Sequence, residues 1–239
     1  MRNHQVVNHT DWIKQRKELL AREKEFQRAR DALSKARREL PWERVEKRYV
    51  FEGADGERTL ADLFGKHSQL AMYHFMFAPD WDVGCKSCSY WSDGFDNVAP
   101  HLAARDVAFH LVSRAPYAKL AAYRERMGWS LSWMSSAGSD FNFDYQVSFD
   151  TSRREHVFNY ERQVVEEPEQ PGFSVFARDG ESIFHTYSTY ARGIDTLNVT
   201  YQILDLVPKG RDEDELSDPM DWVKRRDEYD APEVGPRDS

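Results

Sequence analysis

The sequence predicts an α/β fold: a central mixed sheet flanked by helices, with a long N-terminal helix and a C-terminal helical extension. Three observations predict it. Residues 69–77 (QLAMYHFMF) and 107–112 (VAFHLV) are apolar almost throughout, as strands covered on both faces require. Each is followed by a stretch with helical character, and the order strand, helix, strand, helix implies parallel strands joined by right-handed crossovers. Further on, residues 173–177 and 182–187 flank Arg178-Asp179-Gly180-Glu181, an antiparallel hairpin with an Asp-Gly turn.

The elements follow in order. From Asp11 to Leu40 there is no Gly or Pro, and Trp12, Leu19, Phe26, Leu33 and Leu40 recur every seven residues, with Ala29 and Ala36 in a second row. This predicts one long amphipathic helix, capped at Thr10 or Asp11 and ended by Pro41. Two uses fit it: docking on the globular body, or pairing with a second copy in a homodimer. A strand-like run, 45–51, leads to Gly53-Ala54-Asp55-Gly56, a hairpin-type turn, and 59–65 (TLADLFG) reads as a capped helical turn ended by glycine. After the first apolar strand, Cys88, Trp91, Phe95, Val98 and Leu102 fall at steps of three and four, which predicts a helix with one apolar face. Residues 117–127 form the next helix, with Gly128 as its stop. Residues 135–169 give no regular pattern and read as an insertion. Leu197, Tyr201 and Leu204 mark a helix over 195–207, Ser217-Asp218-Pro219 opens a last short one, and the tail from Asp230 reads as disordered. The organisation is therefore an N-terminal helix (1–41), a main domain (42–210, insertion about 135–169) and an acidic C-terminal helix and tail (211–239).

With 239 residues, 40% hydrophobic, 13% aromatic and 31% charged, the chain can bury a sizeable core. Its formal charge of −8 offers no overall basic field, so no nucleic-acid partner is expected. No run approaches the roughly eighteen apolar residues of a membrane span, and no signal-peptide core follows Met1. A cytoplasmic protein without a membrane partner is expected.

The only two cysteines are Cys85 and Cys88, in Gly84-Cys85-Lys86-Ser87-Cys88-Ser89, at the head of the helix that follows the apolar strand. Two cysteines three apart cannot build a long-range disulfide framework or a four-cysteine zinc site. At a helix start, the unpaired N–H groups and positive dipole end stabilise a thiolate. Cys85 falls nearer the open end and Cys88 on the apolar face. This assigns thiol–disulfide exchange, with Cys85 attacking a protein or small-molecule disulfide and Cys88 resolving the mixed disulfide. Lys86 adds a positive charge, Trp81 is an aromatic lip, and no cofactor is needed. A second reading places copper or zinc on Cys85 and Cys88 with His74 or His185. A third is a non-catalytic binding platform using the terminal segments. No nucleophile elbow and no Walker or Rossmann glycine pattern occurs, which removes hydrolase and nucleotide-binding readings.

This order of elements, with the dithiol after an apolar strand, Gln170-Pro171 before a strand and the Asp-Gly hairpin beyond it, resembles the thioredoxin-like superfamily. The resemblance implies that Pro171 is cis and faces Cys85. Over nearly its full length the chain is also similar to an uncharacterised bacterial thioredoxin-like family, a domain of unknown function. The runs that carry this are Arg28-Ala29-Arg30-Asp31, Arg37-Arg38-Glu39-Leu40-Pro41, Tyr73-His74-Phe75-Met76-Phe77, Ser139-Asp140-Phe141-Asn142 and 185–193 (HTYSTYARG). The leading segment resembles peroxiredoxins as well. Their proline seven residues and threonine three residues before the reactive cysteine are here Ala78 and Asp82, and a carboxylate beside Cys85 opposes thiolate formation, which argues against peroxide chemistry.

Overall fold

The computed structural model describes residues 4–229, and the chain divides into two compact units between Trp42 and Glu43. The first is a single helix, α1 (His9–Arg38), capped not by Thr10 or Asp11 but by Asn8, whose side chain accepts from the Asp11 amide. It stops three residues before Pro41, because the residue ahead of a proline disfavours helical backbone and Glu39 already serves as C-cap.

The second unit is built on an eight-stranded mixed sheet. Its strands are β1 (Glu43–Arg44), β2 (Val50–Gly53), β3 (Gly56–Thr59), β4 (Gln69–His74), β5 (Val107–Ser113), β6 (Trp133–Ser135), β9 (Gly172–Asp179) and β10 (Ser182–Tyr190). A separate hairpin pairs β7 (Glu155–Phe158) with β8 (Glu161–Val164). The sheet order is β1-β10-β9-β4-β5-β6-β2-β3. Strands β4, β5 and β6 are parallel, and the β9–β10 hairpin returns antiparallel beside β4. The helices are α2 (Leu60–Leu63), α3 (Lys86–Phe95), α4 (Ala99–Ala103), α5 (Tyr117–Met127), α6 (Phe141–Asp144) and α7 (Val199–Leu204). A strand carrying the dithiol helix, a parallel neighbour on one side and an antiparallel hairpin on the other make the thioredoxin-like fold that the sequence predicts.

Alternation along β4 sets up two cores. Ala71 and Tyr73, with Phe75 beyond the strand, face one side, where α3 and α5 pack with Trp91, Phe95, Leu120 and Trp133. Leu70 and Met72 face the other, against Phe51, Phe64, Phe141 and Phe176. The chain needs apolar residues on both faces because both are covered.

Four local expectations change. The long helix after the cysteines is two helices, α3 and α4, since Pro100 within one continuous helix would clash with the carbonyl four residues earlier; it sits instead in the first turn of α4. The helix over 195–207 is a 3-10 helix, Ala191–Leu197, followed by α7, because Asn198 caps a new start by accepting from the Tyr201 amide at 3.0 Å. The segment opened by Ser217-Asp218-Pro219 forms turns and a short 3-10 helix, Arg226–Glu228, rather than an α-helix. The stretch 135–169 contains α6 and the β7–β8 hairpin, whose turn residues Asn159 and Tyr160 both adopt left-handed backbone. The tail from Asp230 lies outside the described residues.

Candidate active site

The apolar run continues past β4: the Phe75 amide still bonds to Val112, and Phe75 and Phe77 remain buried. The chain then loops out at Pro79 and Asp80 and returns at Gly84. A Cβ on Gly84 would stand 2.7 Å from the Phe75 ring and 3.1 Å from the Tyr123 ring, so only glycine lets the loop close onto the core here. The return is pinned by the Cys85 amide, which donates to the Met76 carbonyl at 3.1 Å.

Cys85 is the N-cap of α3, and its sulfur accepts from the Cys88 amide at 3.5 Å. It is half-buried, Cys88 is 1% exposed, and both thiols are free. The Met76 amide donates to the Cys88 sulfur at 3.4 Å. The two sulfurs have opposite electrostatics. A hydrogen bond from the Cys88 thiol, and then from the Cys88 and Ser87 amides, brings the Cys85 thiol down to about 6 against the opposing effect of burial. Burial first, and then the neighbouring Cys85 sulfur, pushes Cys88 up. An anionic, reachable sulfur thus lies beside a neutral, enclosed one.

Other residues singled out by the sequence lie as follows. Trp81 is half-buried at the edge of the same core as Cys85. The Lys86 ammonium donates to the Asp221 carbonyl at 3.3 Å, and the groups that lower Cys85 are the S–H, N–H and O–H donors of Cys88 and Ser87 rather than this lysine. Asp82 is exposed, and the Cys85 thiol is acidified despite it. Pro171 precedes β9, whose Gly172 pairs with His74 on the cysteine-bearing strand. Its peptide bond is trans, in contrast to the cis bond implied by resemblance. The segment before it runs extended, tied by Phe149 N to Pro168 O and Gln170 N to Val147 O, and this path carries the chain into β9 without a cis turn.

The histidines lie apart from the sulfurs. His74, on the opposite parity to Tyr73, stacks on Phe141 across the second core, with His185 beside Tyr145 and Phe176 there. They are joined by a hydrogen-bonded chain, His74 Nε2 to Ser174 Oγ (2.8 Å), Ser174 to Ser188 (2.8 Å) and Ser188 to His185 Nε2 (2.7 Å), buried except at the His185 end. Burial lowers His74 to about 3, which keeps it neutral. Among the described residues no group of three His, Cys, Asp or Glu side chains is placed to hold a metal ion.

Sequence reasoning missed three features of the site. Tyr73 is fully buried on the cysteine side of β4, and its hydroxyl has no hydrogen-bond partner. Its signal was an ionisable residue, beside His74, in a run that is apolar almost throughout. Arg225 donates to the Gly84 carbonyl at 2.7 Å and to the Tyr123 hydroxyl at 2.9 Å, while Ser89 Oγ shares that hydroxyl at 2.9 Å. Nothing near Cys85 in the sequence announces a contact 141 residues away. Lys119 donates to the Pro79 and Trp81 carbonyls at 2.9 Å each and holds the outer loop.

A family model described as "Bacterial protein of unknown function (DUF899)" matches residues 1–229. Among solved structures the chain is similar to the peroxidoxin BcpB of Mycobacterium tuberculosis, at 14% identity and a TM-score of 0.46 over 69% of this chain and 97% of that one. It is similar also to a cysteine-to-serine mutant of Xanthomonas campestris peroxiredoxin Q (12% identity, TM-score 0.43, 64% and 90% of the two chains). A third is the mitochondrial 2-Cys peroxiredoxin of Plasmodium falciparum (10%, TM-score 0.42, 68% and 93%). No curated protein matches. Among the described residues no helix is long and apolar enough to cross a membrane.

Proposed function

We propose, for a chain that belongs to the DUF899 family of bacterial proteins, a thiol–disulfide oxidoreductase working through Cys85 and Cys88. The observation that carries this reading is the pairing of a half-buried Cys85, acidified to about 6 at the head of α3, with a buried Cys88 of raised pKa. At neutral pH Cys85 is largely thiolate, and the thiolate is the nucleophile. It attacks one sulfur of a substrate disulfide; that S–S bond breaks, a Cys85–substrate S–S bond forms, and the leaving thiolate takes a proton from water. Cys88 then loses its proton and attacks the Cys85 sulfur, expelling the second substrate thiolate. The products are a Cys85–Cys88 disulfide and a substrate reduced by two electrons, and an external dithiol restores the enzyme.

Exchange fits this site better than metal binding, because His74 and His185 belong to the opposite core. It also fits better than peroxide reduction, since no hydroxyl side chain stands three residues before Cys85 to orient a peroxide. The test is reduction of a small disulfide and of insulin with dithiothreitol as electron source, beside hydrogen peroxide consumption in the same preparation. Wild type should reduce at least one disulfide, Cys85→Ser none, and Cys88→Ser should accumulate a mixed disulfide visible by mass spectrometry. Wild-type inactivity on every disulfide, or peroxide turnover alone, would refute the assignment.

A further inference from the structure

The resolving step poses a problem that the dithiol does not solve. Cys88 must become an anion where burial disfavours one. It shares its core with Tyr73, Phe75, Trp91 and Phe95, none of which carries a carboxylate or an imidazole. The charged and titratable groups of the adjoining elements are engaged or turned away. The Lys86 ammonium goes to the Asp221 carbonyl, Asp82 is exposed, and the Tyr123 hydroxyl is shared by Ser89 and Arg225. The groups that act on the sulfur are the Met76 amide at 3.4 Å, the Cys85 sulfur, and the Tyr73 side chain, which lies in the same core. The Cys85 sulfur leaves that set once it is bonded to substrate, because it then carries no proton to share and no charge.

Tyr73 is placed for that moment. Its ring is fixed edge-on to Phe95 with centroids 5.2 Å apart, its side chain is wholly enclosed, and its hydroxyl has no hydrogen-bond partner in the dithiol state. A buried hydroxyl left unpaired is costly, by about 1–3 kcal/mol, unless some state of the protein uses it. Burial and the two sulfurs hold the phenol well above its ordinary value, so it stays a proton-bearing donor throughout the working pH range.

We propose that the Tyr73 hydroxyl donates a hydrogen bond to the Cys88 sulfur as it becomes a thiolate, and so sets the rate of the resolving step without taking part in the first attack. The phenol keeps its proton, the Cys88 proton passes to water, and the second substrate thiolate departs as Cys88 attacks the Cys85 sulfur. This rests on the exchange reading above.

5,5′-Dithiobis(2-nitrobenzoate) separates the two steps in the full-length protein, since attack by Cys85 releases one equivalent of coloured thiolate and resolution by Cys88 a second. In Tyr73→Phe the first release should stay within about twofold of wild type. The second should slow by tenfold or more, with its pH midpoint moved upward, as loss of a hydrogen bond to a charged group implies. Equal second-phase rates with the same midpoint would overturn the proposal, as would equal slowing of both phases. Absence of the first phase in wild type would instead defeat the exchange reading. Tyr73→Phe removes an unpartnered oxygen and should fold. 3-Fluorotyrosine incorporated at position 73 keeps the ring and makes the hydroxyl a stronger donor, so the second phase should accelerate; an unchanged or slower phase also overturns the proposal.

Discussion

Cys88→Ala tests how Cys85 is acidified. In wild type the largest influence lowering Cys85 is the hydrogen bond from the Cys88 thiol, ahead of the Cys88 and Ser87 amides, and the thiol lies at about 6. At pH 7 a thiol of that acidity is about 90% ionised, against about 3% for an ordinary thiol. A hydrogen bond to a charged acceptor contributes about 1.5–3 kcal/mol, and one pH unit corresponds to about 1.4 kcal/mol. Removing the S–H donor should therefore raise the Cys85 midpoint by about one to two pH units, leaving the two amides and the helix start to hold it below the ordinary value. The assay is the pH dependence of iodoacetamide alkylation between pH 4 and 10, with the modified peptide identified by mass spectrometry. Cys88 is enclosed and resists alkylation, so wild type reports Cys85 as well. A midpoint still near 6 in the variant would show that the backbone at the head of α3 and the Ser87 hydroxyl suffice to acidify Cys85, and the S–H donor would play no part.

Three further outcomes follow from the same contacts. Gly84→Ala drives a methyl to 2.7 Å from the Phe75 ring and should cost about 1–3 kcal/mol in urea unfolding; an unchanged midpoint would mean the loop is not held against that ring. Arg225→Ala removes the guanidinium from the Gly84 carbonyl and Tyr123, and should speed amide exchange across residues 84–88; unchanged protection there would show that the C-terminal segment does not brace the loop. Glu169 is 1% exposed beside Arg114 and Ser148, and burial raises its carboxyl from 4.5 to about 7. Its folded form binds the proton more tightly than its unfolded form, so its contribution is fully present below pH 4.5 and is lost as pH rises through 7, by at most about 3 kcal/mol. Glu169→Gln should flatten urea stability between pH 5 and 8 relative to wild type; an identical pH profile would refute the assignment.

Much of the fold was legible because its signals are local. Apolar runs of strand length, Gly128 after a helical period and Asp-Gly between alternating segments act within a few residues of themselves, and β4, α5 and the β9–β10 hairpin stand where such signals place them. The stretch 135–169 was not legible, since its structure depends on partners far along the chain. Asp140 and Asp144 are both held by Lys47, and Glu169 by Arg114 and Ser148. Two prolines mark where local reading and structure part. Pro100 divides what the apolar steps alone read as one helix, and Pro171 keeps a trans bond because the segment ahead of it is already tied to residues 147–149.

By itself the sequence determined that two cysteines would sit one helical turn apart behind a buried strand, because spacing and hydrophobic period are properties of a continuous chain. Only the tertiary structure decided what surrounds them: Tyr73 rather than His74 on the sulfur side, Lys86 drawn off to Asp221, and Arg225 brought to Gly84. Strand parity divides neighbouring residues between two cores, and a donor 141 residues away reaches the loop only once the chain has folded back on it. Suppression of ionisation at Cys88 arises from that enclosure, which no window of sequence contains, whereas the acidity of Cys85 comes from donors at residues 87 and 88 and is won against burial.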